Sequence, residues 1–194
     1  MDVRFELRRQ LTHMAIGLAI VLIFKFTNIS PIWLFVLALC SGLGFYLNKQ
    51  IKYQLLEWLL NNFERDEQRT KFPGKGFFFL LLGCFLTLIA FPRDAALGGI
   101  CVLSFGDSVS TIIGKHLGKR RHHTNGRKTW EGTLAGFAAS VIATSFFVSL
   151  PQALLASFVG MGVELLEEFP RGNSLEDNLT IPFFSALALR IARL

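Results

Sequence analysis

The sequence predicts an all-α, polytopic integral membrane bundle of about seven transmembrane helices. Three observations predict it. Hydrophobic residues make up 52% of the 194 and charged residues only 18%, against about 25% charged in an ordinary soluble domain. Seven apolar stretches lie at 11–26, 31–47, 76–91, 95–114, 132–150, 152–169 and 178–192, and most approach the ~17–25 residues a helix needs to cross a bilayer core. The basic excess, Lys+Arg 20 against Asp+Glu 14, sits in clusters between those stretches. Such a composition excludes a disordered chain. A spanning barrel is excluded too, because it needs short strands of alternating polarity.

The first stretch follows Arg4, Arg8 and Arg9 and resembles a signal peptide. No small-x-small cleavage site follows, since Lys25-Phe26-Thr27-Asn28 ends the run, so it reads as a retained first span. A very short link at 27–30 leads to the second. The long polar loop 48–75 carries Ile51, Leu55, Leu59 and Phe63 at four-residue spacing. That spacing fits an amphipathic helix in the membrane interface, with Trp58 near the headgroups, or an extension of the second span. The fourth stretch is interrupted by Gly106-Asp107-Ser108, which predicts a broken or re-entrant helix. The fifth opens on Gly132-x-x-x-Gly136, a seam for close helix packing within one chain or in a homo-oligomer. With the N-terminus in the cytoplasm, the loops 48–75, 115–131 and 164–177 share its side, and 16 of the 20 Lys and Arg fall there. Arg190 and Arg193 fall on the other side. No repeat divides the chain, so residues 1–194 read as one membrane domain. The expected location is a prokaryotic plasma membrane, with the working face toward the cytoplasm.

The fourth stretch and the loop after it carry the chemistry. Asp107 is a carboxylate at the edge of an apolar span, where it needs a cation or a metal. Lys119, Arg120, Arg127 and Lys128 follow, with glycines at 106, 114, 118, 126 and 132. One acid for a divalent ion, several cations for phosphate oxygens and glycines for close approach suit a nucleoside triphosphate. A positive-inside loop with one helix-capping acid satisfies the same residues. Pro73-Gly74-Lys75-Gly76 is not a Walker loop, and no Gly-x-Gly-x-x-Gly occurs. His116, His122 and His123 read as exposed loop residues, and Glu164, Glu167 and Glu168 as a solvated helix end or as help for a metal. Cys40, Cys84 and Cys101 lie inside apolar runs with no pairing or metal spacing. Topology accounts for the basic loops, so no nucleic-acid partner is expected.

Gly106-Asp107-Ser108-Val109-Ser110 through Gly114, Gly118-Lys119, and Asn125-Gly126-Arg127-Lys128-Thr129-Trp130-Glu131-Gly132-Thr133 together resemble the central motif of the CTP-dependent lipid kinases. These are the dolichol kinase, phytol kinase and fungal-type diacylglycerol kinase group. Pro73-Gly74-Lys75-Gly76 before a Phe-rich span, and Asp177-Asn178-Leu179-Thr180-Ile181-Pro182, resemble two further signatures of that group. Glu6, Arg9 and His13 match its N-terminal pattern, with Gln10 where the group has Lys. The membrane cytidylyltransferases that make CDP-lipids share the Lys128-to-Gly132 segment, but their second signature is missing after residue 132.

The resemblance implies transfer of the γ-phosphoryl group of CTP to the hydroxyl of a lipid alcohol in the bilayer, with Mg²⁺ as cofactor. It implies Asp107 and Glu131 as metal ligands, with Asp107, Asp177 and Lys128 as catalytic residues. Gly106, Ser108, Gly114, Lys119, Arg120, Asn125, Arg127, Lys128, Gly132 and Asn178 would bind the nucleotide. Glu6, Arg9 and His13 would form one helical face at the membrane edge.

Overall fold

The structure is a computed structural model that describes residues 3–122, 128–166 and 176–193. Among the described residues, helices are joined by short connections, and the β pairing is one isolated bridge between Arg121 and Thr129. The chain is an all-α membrane bundle.

Helix α1 (Val3–Phe26) ends where the Thr27 hydroxyl and N–H both turn back to the Ile23 carbonyl. Pro31, with φ fixed and no N–H to leave unpaired, precedes α2 (Ile32–Ile51). Lys52 closes α2 in the left-handed region (φ 52). That turn splits the expected Ile51–Phe63 stripe, because Ile51 belongs to α2 and the rest to α3 (Gln54–Phe63). Helix α3 turns Leu60 inward and leaves Leu55 and Trp58 exposed. Helix α4 (Asp66–Lys71) leads to α5 (Lys75–Ala90), which starts at Gly74 with φ 77, a conformation glycine adopts without strain. The Glu64 carboxylate accepts the N–H groups of Gly74 (2.9 Å) and Lys75 (3.1 Å), satisfying orphan donors of that helix end.

The fourth segment is not broken. Helix α6 (Arg93–Cys101) passes through a π-helical stretch, Val102–Asp107, into α7 (Ser108–Leu117). The expected interruption is thus a widened turn in one continuous helix, and it ends on Asp107. Such stretches recur at functional sites because they re-aim the side chains beyond them. Helix α8 (Trp130–Thr144) is capped by the Thr129 hydroxyl on the Gly132 N–H (3.2 Å). Helix α9 (Leu150–Leu166) and helix α10 (Asp177–Ile191) complete the bundle.

Helices α1 and α2 and the continuous α6–α7 segment are long and apolar enough to cross a membrane, and α5 and α9 are shorter apolar helices. The α6–α7 segment is the hub, with 67% of its most apolar window buried against 28% for α1 and 22% for α2. Its Ala95, Ala96, Leu97, Ile100, Val102 and Leu103 are fully buried. Helices cannot gain a hydrophobic drive by associating in lipid, so close contact has to come from small residues. Gly17 meets Ser104, and Gly160 meets Val102 and Ser185. Pro182 has no N–H to give the Asn178 carbonyl one turn earlier, and Gly83 packs on that carbonyl instead. These contacts draw α1, α5, α9 and the start of α10 around the Asp107 end of the hub.

Candidate functional site

Lys128 is positioned by a short hairpin. The His122 N–H donates to the Lys128 carbonyl (3.0 Å), and the Trp130 N–H donates to the Arg120 carbonyl (2.9 Å). His122 stacks on Trp130 with ring centroids 4.0 Å apart and bonds Thr133 at 3.2 Å. His122 is therefore buried rather than an exposed loop residue, and it braces the hairpin. The Lys128 Nζ reaches 3.6 Å from Asp107 Oδ1 and forms an ion pair with Glu164 Oε1. Asp177, at the N-terminus of α10, interacts electrostatically with both Lys128 and Asp107. Burial works against the charge on Lys128, but Glu164 and Asp107 outweigh it and hold its ammonium above the usual lysine range. Buried pairs of this kind are costly to break from one side, about 3–5 kcal/mol.

A second chain of hydrogen bonds crosses the site. The Asn178 amide nitrogen donates to the Gly76 carbonyl (3.2 Å), which turns its Oδ1 toward His13. His13 Nε2 then donates to Asn178 Oδ1 (2.8 Å). Nδ1 is left as the acceptor facing the Ser108 hydroxyl at 3.4 Å. Four helices, α5, α10, α1 and α7, are thereby tied beside Asp107, whose own carboxylate meets the Thr111 hydroxyl at 3.5 Å.

A third group surrounds Glu6, whose side chain is 3% exposed. Its oxygens accept from Arg9 (2.6 Å), Lys115 (2.7 Å), Arg65 (3.2 Å) and Gln10 (3.3 Å). Arg9 also acts on Asp107, and Arg65 on Asp177. The basic group therefore adjoins the acidic one.

Asp107, Ser108, Lys128, Asp177, Asn178, Glu6, Arg9 and His13 are thus assembled from three helices, α1, the α6–α7 segment and α10, and one hairpin. Glu131 is not among them: its carboxylate accepts the Arg120 N–H at 3.3 Å, on the exposed side of α8. Lys119 and Arg120 are exposed and take no part in the ion pairs of the cluster. Gly106, Gly114 and Gly132 lie where helices pack closely. A Cβ on Gly132 would lie 2.6 Å from the Ser110 carbonyl oxygen and 2.9 Å from Gly114 Cα. One on Gly106 would lie 2.9 Å from Met161 Sδ. The Gly132–Gly136 seam is therefore used within the chain, against Gly106, Ser110 and Gly114. Asn125, Arg127, His123, Glu167 and Glu168 lie outside the described residues.

Glu164 corrects the expectation of a solvated helix end, being 1% exposed and paired with Lys128. Its signal was present in the sequence. Ala153, Ala156, Ser157, Gly160, Met161 and Glu164 fall on one face at helical spacing, and all are buried. Arg65 and Lys115 left no comparable trace.

No protein-family model matches the chain, and no solved structure matches it. It is 37% identical to a phytol kinase of Synechocystis over 115 residues, which are 56% of this chain and 48% of that one. It is 32% identical to an uncharacterized protein of Methanocaldococcus jannaschii over 190 residues, which are 95% and 92% of the two chains. Identity to a CTP-dependent diacylglycerol kinase of Schizosaccharomyces pombe is 26% over 131 residues, 59% of this chain and 58% of that one. The chain thus spans about half the length of the cyanobacterial kinase and less than two thirds of the yeast one. With these relatives and the residues gathered around Asp107, the chain is similar to lipid kinases, the phytol kinases and a CTP-dependent diacylglycerol kinase among them.

Proposed function

We propose that this chain is a kinase that transfers the γ-phosphoryl group of CTP to the hydroxyl of a membrane lipid alcohol. The acceptor would be of the polyprenol, phytol, geranylgeraniol or diacylglycerol type. Residues 1–194 act as one membrane-embedded domain, in a prokaryotic plasma membrane, with the site at the cytoplasmic interface. There nucleotide arrives from water and the acceptor from the bilayer. The observation that carries this reading is Lys128 held between Asp107 and Glu164, beside Asp177.

The donor set suits a magnesium ion. Mg²⁺ takes oxygen ligands and is usually held by one or two carboxylates plus substrate phosphates. Asp107 and Glu164 provide two carboxylates on one ammonium, and Glu164 Oε2 is buried without a partner. Glu131, engaged by the Arg120 backbone, is not assigned to the ion. Among the described residues no three His, Cys, Asp or Glu side chains are grouped to hold a metal ion by themselves. When bound, the ion would neutralise charge on the triphosphate oxygens.

The chain's own residues do the rest. Lys128 holds a phosphate oxygen in line. Asp177 accepts the proton of the lipid hydroxyl. The hydroxyl oxygen bonds to the γ-phosphorus as the bond to the bridging oxygen breaks, and CDP leaves. The Gly76–Asn178–His13–Ser108 chain keeps the Asp177 end of α10 and the Asp107 turn at fixed separation. Phosphoryl transfer asks mostly for such positioning and charge neutralisation.

Incubating membranes that contain the chain with a lipid alcohol and CTP, labelled at either the α or the γ phosphate, tests the reading. Label from γ in the lipid is expected. Label from α, retained with the nucleoside, would establish a cytidylyltransferase instead, and no label from either would leave a non-catalytic membrane protein.

A further inference from the structure

The Glu6 group holds more positive charge than a structural ion pair needs. One buried carboxylate is satisfied by one cation, yet Arg9, Arg65 and Lys115 converge on it from α1, the α3–α4 link and the end of α7. Two positive charges are left in excess. Holding them together costs repulsion unless an anion joins. The acidic group beside it is the counterpart: Asp107, Glu164 and Asp177 around Lys128 leave two negative charges in excess. The halves touch through Arg9, which acts on Asp107, and Arg65, which acts on Asp177. Two buried atoms of the basic half have no partner, the donor Arg65 Nε and Gln10 Oε1. An orphaned guanidinium donor in a positive cluster marks a place for an acceptor oxygen. The Arg65 and Lys115 side chains stay 37% and 40% exposed, so an anion from water can reach them.

We propose that Glu6 is the hub of a polyphosphate cradle in which Arg65 and Lys115, with Arg9, bind the phosphate oxygens of the nucleotide. The cradle deepens the kinase reading and rests on it. Glu6 is a positioning residue: it gathers three cations from distant segments and aims them at one point. The acidic half takes the divalent ion and the basic half the phosphate tail, so a metal–triphosphate is matched charge for charge.

The test uses the full-length protein in nanodiscs and reads binding without turnover. Probes are CTP and inorganic tripolyphosphate, in the absence of lipid alcohol. Arg65→Gln and Lys115→Gln should each weaken tripolyphosphate binding by about tenfold, the loss of one charged hydrogen bond. The charge-conserving Arg65→Lys should retain most of it. Glu6→Gln, which frees the cations without removing them, should also weaken binding. Arg190→Gln, at the far end of α10 from Asp177, should change nothing. Folded Arg65 and Lys115 variants that bind both probes like the parent would overturn the cradle. A protein that binds tripolyphosphate through Arg65 and Lys115 but moves no label from CTP would keep the cradle and refute the kinase reading, so the two failures are separable.

Discussion

Two basic regions meet at the working end of this bundle, and they are built differently. One is contiguous: Lys119, Arg120, Arg127 and Lys128 lie within ten residues of one another in the sequence. The other joins Arg9, Arg65 and Lys115, which are separated by about fifty residues at each step and meet only on Glu6. The contiguous cluster is conspicuous in the sequence, but of its described members only Lys128 is half-buried and paired with acids. Lys119 and Arg120 face solvent. Of the dispersed cluster, Arg9 lies in a recognisable pattern while Arg65 and Lys115 do not, yet all three charges share a buried partner. Charge density along a chain records which side of the membrane a loop occupies. Charge density in space, around a desolvated acid, marks where an anion is to be held.

The sharpest way to break the contrast is to remove the one contiguous cation that belongs to the site. Lys128→Met leaves Asp107 and Glu164 facing each other without the ammonium between them. Transfer should fall by at least about a thousandfold, the scale of losing a preorganised electrostatic contact in a dry site, and the fold should lose about 3–5 kcal/mol. Asp107→Asn should abolish transfer as well while leaving insertion intact, because Lys128 keeps Glu164 as its partner. Steady-state kinetics with thermal unfolding in detergent reads both. Full activity in either variant would remove that residue from the mechanism.

A second prediction sets the buried acid against the exposed one. Glu164→Gln should lower kcat by about a hundredfold, since it takes a carboxylate from the Lys128 pair. Glu131→Gln should change kcat by less than about threefold, because its partner is the Arg120 backbone in solvent. Measuring kcat and KM for CTP in both variants decides between them. Equal losses would restore Glu131 to the site.

The fold was largely legible in the sequence, and for a physical reason. A bilayer imposes length and hydropathy on every crossing helix, so seven apolar runs announce themselves one by one. The fourth run's interruption was visible too, since Gly106-Asp107-Ser108 breaks its polarity. Its form was not. A glycine beside an acid is compatible with a break, a re-entrant turn or a π-helical stretch, and packing against Met161 and Gly136 selects the last. Half of the site was legible because Asp107, Lys128, Asp177 and Asn178 lie in recognisable motifs. Arg65 lay hidden in an ordinary polar loop. Lys115 looked like one more topological lysine at a span end, and His122 like a loop histidine. None of these has a local pattern, because what defines each is a partner eight to more than a hundred residues away. Glu164 lies between the two cases. Its helix face was periodic, but a carboxylate at a span end reads as solvated unless its cation is already known.

The smallest predicted effect sharpens the comparison most finely, because it tests the conspicuous cations that the site leaves aside. Lys119→Gln and Arg120→Gln each remove an exposed charge in high dielectric, where a unit charge several ångströms from its target is worth about 1 kcal/mol or less. KM for CTP should rise by less than about threefold in each, with kcat unchanged. The rise should vanish near 1 M salt, where the Debye length is about 3 Å. A cradle residue behaves differently: its contact is partly desolvated, so the loss in Arg65→Gln should persist at high salt. A salt titration of KM across the three single variants therefore separates steering from binding. If Lys119→Gln or Arg120→Gln instead costs tenfold or more and resists salt, the contiguous cluster folds onto the nucleotide when it binds, and the division between the two basic regions fails.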